Sequence, residues 1–191
     1  MPSKAVFLDR DGTINEEVGY VDNLNMVKLI DGAAEAIKAF NEEGYKVIVV
    51  SNQSGVARGY FTEEFVIETN NQIQSLLAKD GARVDAFYYC PHHIKGVVEK
   101  YLIECKCRKP STEMLEKARY DLDVDISSSI MIGDKITDIE FAKNGGLTSI
   151  LLLTGFGEDE LVKIKENDSP EPDYIFPSIL EAAKFICSIK S

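Results

Sequence analysis

Two aspartates one residue apart are the first candidates for chemistry in this chain. Asp9 and Asp11 follow the apolar run 5–8, and Gly12 comes next. The run is typical of a strand buried on both faces, and ligands of open α/β sheets bind beyond the carboxyl ends of such strands. Two carboxylates so close repel each other unless a cation lies between them or one keeps a proton. The pair therefore indicates a metal or acid–base site, although these residues alone fit a solvated Asp-Gly turn equally well.

Three further polar clusters follow predicted strands or precede predicted helices. Residues 51–54 follow a β-branched run, residues 108–109 precede a helix, and residues 133–135 follow a short strand. Because the carboxyl ends of parallel strands meet at one edge of a sheet, these clusters can converge on the aspartate pair. They add hydrogen-bond donors and positive charges, which phosphoryl transfer needs. The candidate substrate ligands are Ser51, Asn52, Gln53, Ser54, Arg108, Lys109 and Lys135.

The aspartate pair could divide nucleophilic and acid–base work between its members. Asp9 could attack phosphorus and form an aspartyl phosphate, because a carboxylate is ionised at neutral pH without a base to activate it. Asp11 could then act as general acid and later as general base. Residue types and spacing do not rank one aspartate over the other for these roles.

Magnesium is the cofactor that these residues predict. Asp9, Asp134 and a backbone carbonyl would supply hard oxygen ligands, which suit Mg²⁺ together with water and a substrate phosphate. Asp138 lies one helical turn after Asp134. It fits two interpretations equally, an acid that orients the metal site and an ordinary aspartate in the first turn of a helix.

Strands and helices alternate along the chain around these clusters. The alternation predicts an α/β fold, with a doubly wound, mostly parallel sheet, no separate cap domain, and one domain over residues 1–191. Residues 154–172 are predicted to be a loop with a partly helical middle. The predicted strands are 5–8, 45–50, 84–89, 130–132, 147–153 and a short edge strand at 173–176, and the predicted helices are 31–44, 62–81, 111–122, 136–146 and 178–189.

A cluster of cysteines and histidines lies in the segment 90–110, which has no predicted helix or strand. A C-x-H pair and a C-x-C pair within it would suit tetrahedral Zn²⁺. A closed set of four ligands leaves no position for chemistry, so this zinc would be structural and would staple the long segment. His93 is the alternative histidine ligand, and reduced thiols without a metal are the alternative to a zinc site. The predicted zinc ligands are Cys90, His92, Cys105 and Cys107.

Composition narrows the class of protein. The chain has 191 residues, 45% hydrophobic and 28% charged, which is ordinary for a globular domain. Its formal net charge of −11 argues against a nucleic-acid-binding surface. No signal-peptide pattern opens the chain, and no window reaches the length of a membrane span. We therefore expect a cytoplasmic monomer whose partner is a small molecule, and neither a nucleic acid nor a membrane.

Four motifs in order resemble those of the haloacid dehalogenase superfamily. They are D-R-D-G-T at 9–13, S-N at 51–52, a lysine at 109 before a helix, and G-D-K-x-x-D at 133–138. The resemblance covers residues 5–154, which is most of the chain.

The resemblance implies a role for each motif residue. Asp9 would be the nucleophile, Asp11 the acid and base, and Ser51 and Lys109 would bind phosphate. Asp9, the Asp11 carbonyl and Asp134 would bind magnesium.

The cysteine segment resembles a zinc-containing branch of this superfamily, the heptose-bisphosphate and histidinol-phosphate phosphatases. C-P-H-H at 90–93 and C-R-K-P at 107–110 carry this resemblance. The segment 17–21 and the run S-N-Q-S-G-V-A-R-G at 51–59 look more like the heptose enzymes. This implies hydrolysis of the 7-phosphate of D-glycero-D-manno-heptose 1,7-bisphosphate. It also adds four residues to the expected substrate site, Glu17, Val18, Gly19 and Tyr20.

A bisphosphate substrate would need positive charge around the phosphate that is not hydrolysed. Arg108, Lys135 and Arg58 are the candidates. Hydrolysis of histidinol phosphate remains an alternative. Two alternatives of another class also remain, a signalling receiver domain that carries a regulatory aspartyl phosphate, and a zinc-binding interaction module with an inactive site.

Overall fold

The computed structural model describes residues 2–166 and 169–188, in which strands and helices alternate. None of the helices in this part of the chain is both long and apolar enough to cross a bilayer. Ile189, the predicted end of the last helix, lies outside the described residues. The strands are β1 (Ala5–Leu8), β2 (Lys46–Asn52), β3 (Ala86–Cys90), β4 (Ile130–Gly133), β5 (Thr148–Leu152) and β6 (Tyr174–Phe176). The helices are α1 (Ala33–Glu42), α2 (Glu63–Ala78), α3 (Glu113–Leu122), α4 (Ile136–Gly145), α5 (Gly157–Glu166) and α6 (Ile179–Ser188).

The strands form one parallel sheet in the order β3-β2-β1-β4-β5-β6. The chain first adds β2 and β3 on one side of β1 and then returns to add β4, β5 and β6 on the other side. Strand order therefore reverses between β1 and β4, which is where doubly wound sheets bind their ligands. This topology confirms the predicted α/β class and places the end of β1 at the expected site.

Side chains of β1 alternate between the two faces of the sheet. Val6 and Leu8 pack with α1 and α6 in one buried cluster, while Ala5 and Phe7 pack with α3 and α4 in another. Helices therefore cover both faces, as the alternating sequence pattern predicts. The continuous apolar run of β1 is explained by this double burial.

The sequence-based prediction differs from the structure by one or two residues at several element ends, and two differences bear on the site. β2 continues two residues past the predicted end at 50, because its backbone pairs with β3 as far as Asn52. Helix α5 occupies much of the predicted loop 154–172. Acidic side chains in its first turn and lysines in its last turn complement the helix dipole, which stabilises a segment whose apolar pattern is weak.

Candidate active site

Asp9 lies at the carboxyl end of β1 and is almost completely buried between two lysines. Lys109 Nζ lies 2.8 Å from Asp9 Oδ1, and Lys135 Nζ lies 3.6 Å from Asp9 Oδ2. Burial by itself would raise the pKa of Asp9, but the two ammonium groups outweigh burial and lower this pKa to about 2. Asp9 is therefore ionised at neutral pH, as a carboxylate that attacks phosphorus must be.

Lys109 is itself fixed by several oxygen atoms. Its Nζ lies 2.6 Å from Asp138 Oδ1 and donates to the Val50 carbonyl at 2.7 Å, in addition to its contact with Asp9. Burial would lower the pKa of Lys109, but the carboxylates of Asp138 and Asp9 raise it above its usual value, so the ammonium persists. Asn52 also binds the Lys109 backbone, accepting from its N–H at 3.0 Å and donating to its carbonyl at 3.1 Å.

Asp138 was interpreted from the sequence either as an acid that orients the site or as an ordinary aspartate in the first turn of a helix. Its two contacts combine features of both interpretations. Its Oδ2 accepts a hydrogen bond of 3.1 Å from the Lys135 N–H at the start of α4, as a first-turn aspartate does. Its Oδ1 pairs with Lys109 inside the site. A side chain at Gly133 would overlap the Asp138 carboxylate, so the close approach of β4 to this residue requires glycine. Asp138 thus orients Lys109, and Lys109 in turn contacts Asp9.

Asp11 does not lie against another carboxylate, as the sequence suggested, but against Arg10. Arg10 Nη2 lies 2.9 Å from Asp11 Oδ2. Asn15 donates to Oδ1 and Gln53 to Oδ2 of the same carboxylate, each at 2.9 Å. The sequence analysis missed Arg10, which is almost fully buried. The sequence shows only that Arg10 lies between two acids, and its burial and its choice of Asp11 as partner are seen in the structure alone.

The acidic residues converge around the ammonium group of Lys135. Its Nζ lies 3.1 Å from the Asp11 carbonyl oxygen and 3.4 Å from Asp134 Oδ1, besides its contact with Asp9 Oδ2. Asp134 Oδ2 is engaged by the Phe156 N–H at 2.9 Å, which leaves Oδ1 for a cation. Burial and the charge of Asp9 raise the pKa of Asp134 to about 8 although Lys135 lies nearby, and a bound metal ion would favour the ionised carboxylate. The hard oxygen donors fit Mg²⁺.

A cavity of about 400 Å³ opens above these residues. Val18 does not line it and is 41% exposed, and Asp134 lies buried beneath it. Phe156, which the sequence analysis missed, lines the cavity from the segment after β5. This position could have been found, because β5 ends at the same edge of the sheet as β1. The predicted residues that line the cavity are Asp9, Asp11, Glu17, Gly19, Tyr20, Ser51, Asn52, Gln53, Ser54, Arg108, Lys109 and Lys135.

The segment 17–21 contacts residues outside it through Glu17 and Tyr20, and it also has an internal hydrogen bond. Glu17 Oε2 lies 3.2 Å from Lys135 Nζ, and Glu17 Oε1 accepts a hydrogen bond of 2.8 Å from the Gly19 N–H. The Tyr20 ring packs edge-on against Tyr60, with 4.5 Å between ring centroids. These contacts hold the segment against the cavity, which Glu17, Gly19 and Tyr20 line.

The four predicted zinc ligands come together at the end of β3. The three sulfur atoms lie 3.1–3.4 Å from one another, and His92 Nδ1 lies 3.2 Å from Cys107 Sγ. Three thiols and one imidazole in such a group could hold a tetrahedral zinc ion. His93, the alternative ligand, lies outside the group. Burial and the charges of Arg108, Arg58 and Lys95 lower the pKa of His93.

Two bacterial phosphatases are similar to this chain over nearly its whole length. A D-glycero-D-manno-heptose-1,7-bisphosphate 7-phosphatase from Thermosynechococcus vestitus is 43% identical over 192 residues, which cover 98% of this chain and 97% of that protein. The chain belongs to this phosphatase family. A relative from Pasteurella multocida, named D-glycero-beta-D-manno-heptose-1,7-bisphosphate 7-phosphatase, is 39% identical over 98% of this chain and 99% of its own length.

Structural similarity agrees with the membership of this phosphatase family. The crystal structure of D,D-heptose 1,7-bisphosphate phosphatase from B. bronchiseptica, complexed with magnesium and phosphate, matches with a TM-score of 0.87 and 27% identity over 97% of this chain and 99% of that chain. The HAD-hydrolase-like family model matches residues 106–182. The resemblance seen in the sequence motifs is confirmed, and the chain is an enzyme of the hydrolase class. The receiver-domain and interaction-module alternatives lose their support.

Proposed function

We propose that this phosphatase removes the 7-phosphate from D-glycero-D-manno-heptose 1,7-bisphosphate. The observation that carries the proposal is an ionised, buried Asp9 between Lys109 and Lys135 at the base of a cavity. The names of the relatives from Thermosynechococcus vestitus and Pasteurella multocida support this substrate.

In the proposed reaction, an Asp9 oxygen attacks the phosphorus atom and the bond from phosphorus to the sugar oxygen breaks. Asp11 gives its proton to the leaving sugar oxygen. It then takes a proton from a water molecule, whose oxygen attacks the aspartyl phosphate, so that inorganic phosphate leaves and Asp9 is restored. Arg10, Asn15 and Gln53 hold the Asp11 carboxylate for both steps.

Lys109 and Ser51 would bind the phosphoryl oxygens. The Lys109 ammonium lies beside the attacking carboxylate and supplies fixed positive charge. Ser51 Oγ accepts a hydrogen bond of 2.6 Å from Gln53 Nε2, so its own hydroxyl proton is free to be donated to a ligand. Both side chains line the cavity.

Two metals complete the proposed site. Asp9, the Asp11 carbonyl and Asp134 would hold magnesium, which when bound neutralises charge on the phosphoryl oxygens. Zinc would be held by the cysteine–histidine group and would be structural. It would fix the segment 90–110, which contains Arg108 and Lys109, and both of these cationic residues line the cavity.

Phosphate release from a panel of substrates tests this function. The panel contains the heptose 1,7-bisphosphate, the heptose monophosphates and histidinol phosphate. We expect the largest kcat/KM with the bisphosphate and release of its 7-phosphate. A larger kcat/KM with histidinol phosphate would favour the alternative substrate. The Asp9→Asn variant tests the mechanism on the same substrates and should have lost turnover, because it lacks the attacking carboxylate. A folded Asp9→Asn variant with undiminished turnover would contradict the mechanism.

Three broader expectations stay predictions of the same proposal. They are a monomer, a cytoplasmic location and a single domain over residues 1–191. Light scattering coupled to gel filtration tests the first, and a single cooperative unfolding transition followed by two different probes tests the third.

A further inference from the structure

Residues 90–110, the zinc segment, are attached to the start of α2 through the carboxylate of Glu63. Its Oε1 accepts a hydrogen bond of 2.6 Å from the Tyr101 hydroxyl, and its Oε2 accepts one of 3.0 Å from the Tyr89 hydroxyl. Hydrogen bonds to an ionised acceptor are stronger than those between neutral groups. One helical residue therefore holds two parts of the chain, because Tyr89 belongs to β3 and Tyr101 to the zinc segment.

The two tyrosines lie beside different members of the predicted zinc-ligand group. Tyr89 directly precedes Cys90 at the end of β3. The Tyr101 ring lies next to His92, with 6.1 Å between the ring centroids, and the Tyr101 carbonyl accepts a hydrogen bond of 3.1 Å from the His93 N–H. The carboxylate that binds both tyrosines is therefore linked to the surroundings of one thiol ligand and of the imidazole ligand.

The tyrosine hydroxyls are the main partners of the Glu63 carboxylate, which is 29% exposed. The hydrogen bond from Tyr101 is the largest cause of the lowered pKa of Glu63, and it acts with the Tyr89 hydroxyl against partial burial. Lys100 Nζ lies 3.5 Å from Glu63 Oε1, but the Lys100 side chain is 75% exposed. An exposed ion pair of this kind contributes little to stability by itself.

The chain between His92 and Cys105 depends on contacts of this kind. It contains no strand and no α-helix, and its one regular element is the short 3-10 helix Glu99–Tyr101. A metal ion that draws its ligands from both ends of such a loop must overcome the conformational entropy of the loop. Contacts that fix the loop in advance reduce this cost and favour the metal-bound arrangement.

Backbone and side-chain contacts attach this loop at different points. The N–H groups of Val97 and Val98 donate to the Ala57 carbonyl, at 2.7 and 3.0 Å, and fix the first half of the loop. The hydrogen bond from Tyr101 to Glu63 fixes the second half. The second attachment can therefore be removed by a side-chain substitution while the backbone attachment stays in place.

We propose that Glu63 is a positioning residue of the zinc site, which keeps the ligand group assembled through Tyr89 and Tyr101 and so slows the release of zinc. Glu63 is neither a member of the four-residue ligand group nor part of the wall of the catalytic cavity. This inference rests on the zinc site of the proposed function, and it does not depend on the identity of the sugar phosphate.

The rate of zinc release tests this role. Zinc-loaded wild type, Glu63→Gln, Tyr101→Phe and the double variant are mixed with an excess of the coloured chelator pyridylazoresorcinol, and absorbance reports the released metal. Loss of a group that orients metal ligands lowers metal affinity about 10–100-fold. Because Glu63 acts through the tyrosines, we expect release from Glu63→Gln to be roughly tenfold faster than from wild type. Tyr101→Phe should also release zinc faster, and the double variant should match Glu63→Gln, because both substitutions remove the same hydrogen bond.

Two controls separate this role from a general loss of stability. Glu68→Gln makes the same change of charge at an exposed position of α2 and should release zinc at the wild-type rate. Ile73→Val shortens a fully buried side chain of the same helix, so it should lower the urea midpoint without changing the release rate. A wild-type release rate in Glu63→Gln or Tyr101→Phe, or an equal acceleration by Ile73→Val, would overturn the role of Glu63. Wild type that folds without zinc would overturn the zinc site and this role together, whereas failure of the substrate proposal would not change the release rates.

Discussion

Replacing Lys109 with methionine removes the cation that lies between two buried carboxylates, Asp9 and Asp138. Lys135 still lies 3.6 Å from Asp9, so Asp9 keeps a cationic partner. Asp138 loses its ion pair with Lys109 and is therefore the carboxylate most affected. Removing one partner of a buried ion pair costs about 3–5 kcal/mol of unfolding free energy. Asp138 is fully buried and can take up a proton, which removes its unpaired charge. We therefore expect the loss of unfolding free energy to be at the lower end of this range, about 3 kcal/mol. With a slope of about 2 kcal/mol/M, the urea midpoint should fall by about 1.5 M.

Urea unfolding of four magnesium-free proteins that retain zinc checks this magnitude. They are wild type, Lys109→Met, Asp138→Asn and the double variant. Because the double variant no longer buries an unpaired charge at position 138, it should be clearly more stable than Lys109→Met. Phosphatase activity should be lost in both proteins that lack the lysine. A midpoint for Lys109→Met within about 0.3 M of wild type, or a double variant no more stable than Lys109→Met, would refute the reasoning.

Three other predictions follow from the site. Arg10→Met should lower kcat at least about tenfold with little change in KM, because Arg10 holds Asp11, while the exposed Arg119→Met should change neither constant in steady-state assays. Cys105→Ser should lose zinc by elemental analysis and lower kcat/KM, and a folded wild type without stoichiometric zinc would contradict the zinc site. The pKa of Asp9 is lowered from 3.8 to about 2, so its stabilising contribution is present above 3.8 and is lost as the pH falls toward 2. Between pH 3.8 and about 2, the unfolding free energy of magnesium-free wild type should therefore fall more steeply with decreasing pH than that of Asp9→Asn. Equal dependences on pH in the two proteins would contradict the lowered pKa of Asp9.

The sequence located the strands and most cavity-lining residues, because both depend on patterns along the chain. An apolar run followed by polar residues identifies the end of a buried strand, and parallel strands bring such ends together. This was sufficient to group Asp9 with Ser51, Lys109 and Lys135 before any contact was known. The family resemblance supplied the separate roles of the two aspartates, which residue types alone left open.

Side-chain directions could not be predicted in the same way. Asp11 and Asp9 are neighbours in sequence, yet the Asp11 carboxylate turns to Arg10, and no pattern reports such a rotation. The packing of the zinc segment against Ala57 was equally hidden, because the hydrogen bonds from Val97 and Val98 join parts of the chain that are distant in sequence. Residues 51 and 52 were predicted to follow the end of β2, although their backbone groups pair with β3. Each of these features depends on contacts between distant parts of the chain.

The Asn52 side chain binds the Lys109 backbone on both its N–H and its carbonyl, as a neighbouring strand would. Lys109 is thereby attached to the sheet independently of the cysteine segment that leads to it. Residues 94–104 do not line the catalytic cavity, so insertions or deletions among them are expected to leave the catalytic lysine in place.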